Sequence, residues 1–256
     1  MRLTVLGCSG SLPGPGTPAS GYLVEADGFL LALELGNGTF AELQARHDPF
    51  GLGALVFSHL HPDHCADFTA LTVLRRKHPE PPYDMRERRL PVFAPGNAPA
   101  RLAAAYAPSE AKLAKTDLSD VFAFHPLRPG VGVHIGPFEM WSLPVDHTTE
   151  AFGVRVRHGG RTLAYTGDTG PCPALDELAD GADVLLSEAT WTHSPTRPGG
   201  MHLSGRQAGE LARRAGVGRL LITHVAPWSD RDAVLAEACA EFPATVLVEP
   251  GATYPV

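Results

Sequence analysis

The sequence predicts an α/β protein: two β-sheets packed face to face, with helices outside. Three observations predict it. Apolar runs of strand length alternate with helix-length segments along the whole chain. Strand-rich hairpins are followed by strand–helix units in both halves. Side chains able to bind metal recur just past apolar runs, where open α/β sheets place their sites.

The elements follow in order. Leu3 to Leu6 reads as a strand, and Gly7 to Ser20 as a Gly/Pro/Ser-rich loop. Tyr22 to Val24 and Phe29 to Leu33 form a hairpin around Ala26-Asp27-Gly28. After the turn Gly36-Asn37-Gly38, Thr39 caps a helix running to about His47. Ala54 to Phe57 is a short buried strand, followed by a loop and a helix from about Ala66 to Lys77. Residues 78 to 91 combine proline with charge and read as an exposed, mobile connection: a linker, a lid or a partner-contact loop. Val92 to Ala94 is a strand, followed by helical segments at Pro99 to Tyr106 and Ser109 to Lys115. Strands dominate from Phe122 to Val156 and recur at Thr162 to Tyr165, Val184 to Ser187, Leu220 to Ile222 and Thr245 to Val248. Helices fill the intervals at Ala174 to Ala179, Ser204 to Ala215 and Arg231 to Phe242.

At 256 residues the chain can bury one large core, and a single domain over 1–256 is expected. Acidic residues outnumber basic ones 28 to 21, a net charge of −7. Broad non-specific nucleic-acid binding needs a basic surface, so a large nucleic acid is not the expected partner. An anionic small molecule is not excluded, because bound cations can dominate the field of a pocket. The four cysteines lie far apart with no CxxC spacing, which fits a reduced compartment. Seven residues before Cys8 are too few for a signal peptide, and no apolar run reaches membrane-spanning length. A cytoplasmic protein is expected.

His59-Leu60-His61-Pro62-Asp63-His64 is the densest chemical signal. Four candidate ligands within six residues follow the strand Ala54 to Phe57. One loop cannot satisfy four converging polar groups unless a cation sits among them. Imidazole nitrogen and carboxylate oxygen are ligands that zinc accepts in catalytic sites. Manganese and iron accept the same set. Three more candidates lie past later strands: His147, Asp168 in Tyr165-Thr166-Gly167-Asp168-Thr169-Gly170, and His224. A lone His or Asp at a strand end is usually a cap or turn residue. Four strand ends carrying such groups point to one metal site. Cys65 beside His64 is more simply a small buried residue at a helix start.

The pattern HxHxDH, then a lone His, a lone Asp and a lone His, resembles the metallo-β-lactamase superfamily along essentially the whole chain. The resemblance implies a four-layer αβ/βα sandwich with the site between the sheet edges. It implies two divalent metal ions, one held by His59, His61 and His147, the other by Asp63, His64 and His224, with Asp168 bridging. The two ions would acidify a water near neutral pH to serve as nucleophile, which Asp63 would aim. Asp168 stands where many β-lactamases carry Cys, which favours a dinuclear hydrolase over an antibiotic-degrading one. His61 stands where the redox branch carries a carboxylate, which argues against a di-iron oxidoreductase.

Finer features resemble the ribonuclease Z and cyclic-nucleotide phosphodiesterase-like branch. They are Leu6-Gly7-Cys8-Ser9-Gly10-Ser11, Gly167-Asp168-Thr169, Ser187-Glu188-Ala189-Thr190 and Met201-His202-Leu203-Ser204. By that resemblance His202 protonates the leaving oxygen and Glu188 orients it. Taken without the family, His202 would be a helix-flanking residue. The interval from His147 to Asp168 is 21 positions (168 minus 147), too short for the protruding arm of tRNA-processing members. The resemblance therefore implies a phosphodiesterase acting on a small phosphodiester, with 3′,5′-cyclic AMP the first substrate to test, and a homodimer. The alternatives are a ribonuclease Z-like endonuclease, a lactone, thioester or β-lactam hydrolase, and, least favoured, a non-catalytic metal-binding protein. Ser9 and Ser11 are candidates for phosphate contact or a simple turn. Trp191 and Trp228 are candidates for base stacking, with rigid packing the reading slightly preferred. The remaining histidines read as surface or turn residues.

Overall fold

The computed structural model describes all residues, 1–256. The first half runs β1 (Arg2–Gly7), β2 (Gly21–Ala26), β3 (Phe29–Leu33), α1 (Thr39–Arg46), β4 (Leu52–Val56), the one-turn α2 (Pro62–Cys65), α3 (Phe68–Lys77), β5 (Leu90–Ala94), α4 (Ala98–Tyr106), α5 (Glu110–Leu113) and β6 (Phe122–Pro126). The second runs β7 (Val133–Ile135), β8 (Phe138–Pro144), β9 (Phe152–His158), β10 (Arg161–Tyr165), α6 (Ala174–Ala179), β11 (Val184–Glu188), α7 (Gly205–Ala215), β12 (Arg219–Thr223), α8 (Arg231–Glu241), β13 (Thr245–Leu247) and β14 (Thr253–Pro255).

The strands form two seven-stranded sheets, ordered β14-β1-β2-β3-β4-β5-β6 and β13-β12-β11-β10-β9-β8-β7. Each sheet is antiparallel at one side and parallel at the other. Strands β3 to β6 are parallel in the first, and β10 to β13 in the second. Alternation along the strands splits the apolar residues between two layers. Tyr22, Val24, Leu31, Leu33, Ala54 and Val56 face the second sheet, where they meet Val154, Leu163, Tyr165, Leu186 and Leu221. Leu23, Ala32, Leu55 and Val92 face outward, onto Leu43, Phe68 and Leu102 of the flanking helices. In the second sheet Ala164, Leu185, Leu220 and Ile222 face outward, onto Leu178, Leu211 and Val234. Three apolar layers between four structural layers make the αβ/βα sandwich expected. Strands covered on both faces explain the continuous apolar runs that stood out in the sequence. Tyr22 crosses the central layer: its ring lies 5.4 Å from that of Tyr165, and its hydroxyl meets Thr223 Oγ1 at 2.7 Å.

Several local expectations change. Thr39 is not the cap of α1: Gly38 holds that position in a left-handed conformation, and the Thr39 hydroxyl donates to the Gly36 carbonyl. The His59 run is not all loop, because Pro62 starts the one-turn α2, which carries Asp63 and His64. Pro suits this first helical position because it needs no amide partner there. Residues 78 to 91 join α3 to β5 within one sheet, so they are not a linker between domains. The segment is tied down: Met85 is buried, the Tyr83 hydroxyl donates to the Phe50 carbonyl, and buried Arg75 donates to the Arg88 carbonyl. Strand β14 was not expected at all; it returns to the first sheet and pairs antiparallel with β1. No helix is long and apolar enough to cross a membrane.

Candidate metal centre

The carboxyl ends of β4, β8, β10 and β12 come together, and the loops leaving them carry the site. His59 and His61 follow β4, and Asp63 and His64 sit on α2 just beyond. The backbone fixes α2 from three sides: Ser20 N donates to Asp63 O, Leu35 N to His64 O, and Asp67 N to Leu35 O. Gly36 permits this approach, since a Cβ there would lie 1.9 Å from the Asp63 carbonyl oxygen. His147 follows β8, Asp168 follows β10, and His224 follows β12. His224 adopts φ of 58°, a left-handed backbone that a non-glycine residue holds only when its surroundings enforce it.

Outer contacts set which ring nitrogen faces inward. His147 Nδ1 donates to the Met201 carbonyl at 2.9 Å, leaving Nε2 free. The Thr190 hydroxyl donates to Glu188 Oε2 at 3.0 Å and so accepts from His224 Nδ1 at 3.1 Å. That assignment turns the lone pair of His224 Nε2 into the site. His59 Nδ1 contacts the Ser58 hydroxyl at 3.0 Å.

Three groups of ligand-type atoms result, two built from the expected ligands and a third from Glu188, His202 and His224. His59, His61 and His147 converge, with His61 Nδ1 at 3.0 Å from His59 Nε2 and 3.2 Å from His147 Nε2. Asp63, His64, Asp168 and His224 form the second group, all buried. There His224 Nε2 lies 3.2 Å from both Asp63 Oδ2 and Asp168 Oδ2, and 3.3 Å from His64 Nε2. His59 Nε2 to Asp168 Oδ2, at 3.8 Å, joins these two groups and leaves Asp168 facing both. The structure thus brings together all seven residues expected as ligands.

The donor set fits divalent cations. Asp168 Oδ1 is buried with no hydrogen-bond partner, and so is His64 Nδ1. Buried carboxylates at 2 and 7% exposure need compensating charge. The protein supplies some of it. Burial pushes the Asp168 carboxyl up, but His224 and His64 hold it well below the usual carboxylate range. Asp63 is likewise lowered: burial raises it, but neighbouring His224 and His64 outweigh that. His59 is driven well below the ordinary imidazole value by burial and by neighbouring His64, which keeps it neutral as a metal ligand must be.

His202 borders the second group. Its Nδ1 donates to Glu188 Oε1 at 2.9 Å, and its side chain is 10% exposed. Burial opposes a charge on His202, but Glu188 and then Asp168 raise its pKa to about 9. Glu188 also accepts from Thr169 N at 2.8 Å, the Thr190 hydroxyl at 3.0 Å and Leu203 N at 3.2 Å. Four donors saturate this buried carboxylate, so it is an anchor for His202 rather than a free metal ligand. The capping box of α7, with Ser204 and Gln207, fixes the segment that carries His202.

Sequence reasoning missed Glu34. It is fully buried, holds φ of 64°, accepts from Ser58 N at 3.0 Å, and faces His64 Nδ1 at 3.7 Å. Its signal was a charged residue directly after the apolar strand Phe29 to Leu33. Thr190 and the Met201 carbonyl were missed as orienting groups too. Cys65 lies outside the metal groups, with its thiol toward the Leu60 carbonyl. Ser9 closes a turn onto the Leu12 carbonyl, whereas the amide of Ser11 points at His224 Nε2 from 3.4 Å. Trp228 does not pack; it is 67% exposed.

Residues 34–225 match the beta-lactamase superfamily domain, and the chain belongs to that superfamily. It is a metal-dependent hydrolase of the metallo-β-lactamase fold. An uncharacterized protein of Mycobacterium tuberculosis, Rv1339, is 45% identical over 244 residues, spanning 94% of this chain and 87% of that one. A ribonuclease Z of Mycolicibacterium paratuberculosis is 29% identical over 89% of this chain and 86% of its own. The crystal structure of the metallo-beta-lactamase fold protein YhfI of Bacillus subtilis superposes with a TM-score of 0.83 at 23% identity, covering 99% of this chain and 98% of that one.

Proposed function

We propose that residues 1–256 form one hydrolase domain, a dinuclear phosphodiesterase acting on a small phosphodiester, with 3′,5′-cyclic AMP the first substrate to test. His59, His61 and His147 would hold one divalent ion, and Asp63, His64 and His224 the other, with Asp168 between them. Zinc suits these ligands best, and manganese or iron would be accepted. Two such ions acidify a water molecule and offset charge that builds on the phosphate.

The chain's own residues supply the rest. Asp63 would orient the attacking water. One observation carries the choice of a phosphodiester: the His202–Glu188 pair, 2.9 Å apart at the edge of the second group. Expelling a ribose alkoxide requires a proton, and a positioned acid contributes about 10²- to 10⁴-fold. Glu188 holds a proton on His202 for that step, and the Nδ1 contact leaves Nε2 as the atom that gives it up. An ester or lactone hydrolase has less need of such an acid. Four unpaired cysteines support a reducing, cytoplasmic setting.

The decisive experiment is metal-loaded protein with cyclic AMP and zinc or manganese. Metal-dependent opening of the ring to the 5′-monophosphate is expected. Absence of turnover would remove the substrate while leaving the metal centre in place. A second reading, endonucleolytic cleavage of RNA, is favoured by the ribonuclease Z relative. The short interval between His147 and Asp168 weighs against a tRNA precursor, and rapid cleavage of one would reverse the order.

A further inference from the structure

Beside His202, away from the metal ligands, lies a cavity of about 130 Å³. Its lining includes Trp191, His193, Arg197, His202 and Gln207, and no Asp or Glu. The Arg197 guanidinium sits over the Trp191 ring at 5.1 Å, and that ring meets the His202 ring edge-on at 5.2 Å. Trp191 therefore contacts both side chains.

Arg197 is exposed and, unlike Arg2, Arg46, Arg161, Arg213 and Arg214, pairs with no carboxylate. Its Nε contacts the Thr192 carbonyl at 3.4 Å, which leaves the outer edge of the guanidinium free. The carboxylate of Glu237 is already taken by the amides of His193 and Arg206. The first turn of α7, whose Ser204 and Gln207 also line the cavity, adds the positive end of its dipole. In a chain of net charge −7, this is a cationic recess held ready beside the proton donor. A cavity of about 150 Å³ accepts a benzene-sized ring, so the recess suits a phosphate group.

We propose that this recess is a phosphate subsite for the leaving group of a linear phosphodiester, with Arg197 as the binding residue and Trp191 as its platform. The inference rests on the phosphodiesterase reading and adds a substrate class to it. A cyclic mononucleotide has no second phosphate to place there; a linear dinucleotide with a terminal phosphate does. Water forms the new oxygen–phosphorus bond, the ester bond breaks, and the His202 proton goes to the departing oxygen. The terminal phosphate stays intact on the released half, held by the guanidinium fork.

The test compares adenylyl-(3′→5′)-adenosine without a terminal phosphate, with a 5′-phosphate and with a 3′-phosphate, using full-length metal-loaded protein. Bis(p-nitrophenyl) phosphate reports phosphodiesterase activity that needs no subsite. One phosphorylated dinucleotide should exceed the unphosphorylated one in kcat/KM by at least about tenfold. Arg197→Ala should abolish that preference and leave the rates on the unphosphorylated dinucleotide and on bis(p-nitrophenyl) phosphate unchanged, while Arg197→Lys retains part of it. Equal wild-type rates, or a preference that survives Arg197→Ala, would overturn the subsite alone. No turnover of any diester, the chromogenic one included, would overturn the phosphodiesterase reading and the subsite with it.

Discussion

Glu188 Oε1 accepts from His202 Nδ1 at 2.9 Å and from the amide of Thr169 at 2.8 Å. One oxygen thus ties the candidate proton donor to the residue that follows Asp168. His202→Ala should lower kcat on cyclic AMP by about 10²- to 10⁴-fold. Bis(p-nitrophenyl) phosphate, whose phenolate leaves without a proton, should lose only a few-fold. Equal losses on both substrates would assign His202 a structural role. The acid form exists below its pKa, which Glu188 helps raise to about 9, so activity should fall as pH climbs through that region. Glu188→Gln should move this alkaline limb to lower pH, as should nearby bound cations.

Metal affinity should rise with pH. Burial disfavours a charge on His64, but Asp168, Asp63 and Glu34 push its pKa well above the ordinary imidazole value. Below that pKa an incoming ion must displace the proton, so binding weakens as pH falls. The slope should approach about tenfold per pH unit for one released proton. Calorimetric titration of chelator-treated protein with zinc, in two buffers of different ionisation enthalpy, measures that release. Affinity independent of pH would show that His64 is already neutral.

Glu34 sits behind His64, with Oε2 buried and unpartnered. A carboxylate behind a ligating imidazole raises its basicity and fixes its ring. Glu34→Gln keeps an acceptor for the Ser58 amide and removes the charge. Zinc affinity should fall about 10- to 100-fold. The melting temperature of metal-free protein should fall as well, because protonated His64 loses one of its compensating carboxylates. A lower melting temperature with unchanged zinc affinity would make Glu34 a fold residue only.

Gly205 opens α7 where α8 crosses closest: a Cβ there would lie 2.1 Å from the Val234 carbonyl oxygen. Glycine to alanine in a helix normally gains up to about 1 kcal/mol. Forcing apart packed helices costs about 1 to 3 kcal/mol, so the clash should win. Gly205→Ala should lower the melting temperature in calorimetry. Gly216→Ala meets no neighbour but has φ of 63°, so it should destabilise through backbone strain alone.

The candidate ligands were legible because each is a polar metal-binding type past a run of apolar residues. That pairing of chemistry with strand end survives without knowledge of the tertiary fold. Glu34 occupies the same kind of position but is a single carboxylate before a Gly-Asn-Gly turn, where surface glutamates are common. Its meaning depends on His64, thirty positions later (64 minus 34), which no local pattern reveals. Strand β14 escaped because Thr253-Tyr254-Pro255 is too short to show alternation; its pairing with β1 across the whole chain makes it a strand. For Trp228, rigid packing is slightly preferred over base stacking on the sequence, yet the ring is exposed. Anchoring of its loop by Ser229 to the Thr190 carbonyl holds the backbone in place without burying the ring. The one-turn helix α2 carried its own sign in Pro62, which was legible and passed over.

Strand β14 is the one strand of the second half that joins the first sheet, and it covers the outer side of β1. Its three residues therefore guard a ladder of unmet amides and carbonyls that would otherwise recruit any extended chain nearby. Deleting residues 250–256 would leave every candidate ligand in the polypeptide, yet convert β1 into a sticky margin. Such a shortened protein should self-associate, so the final few residues act as insulation for a catalytic apparatus they never touch.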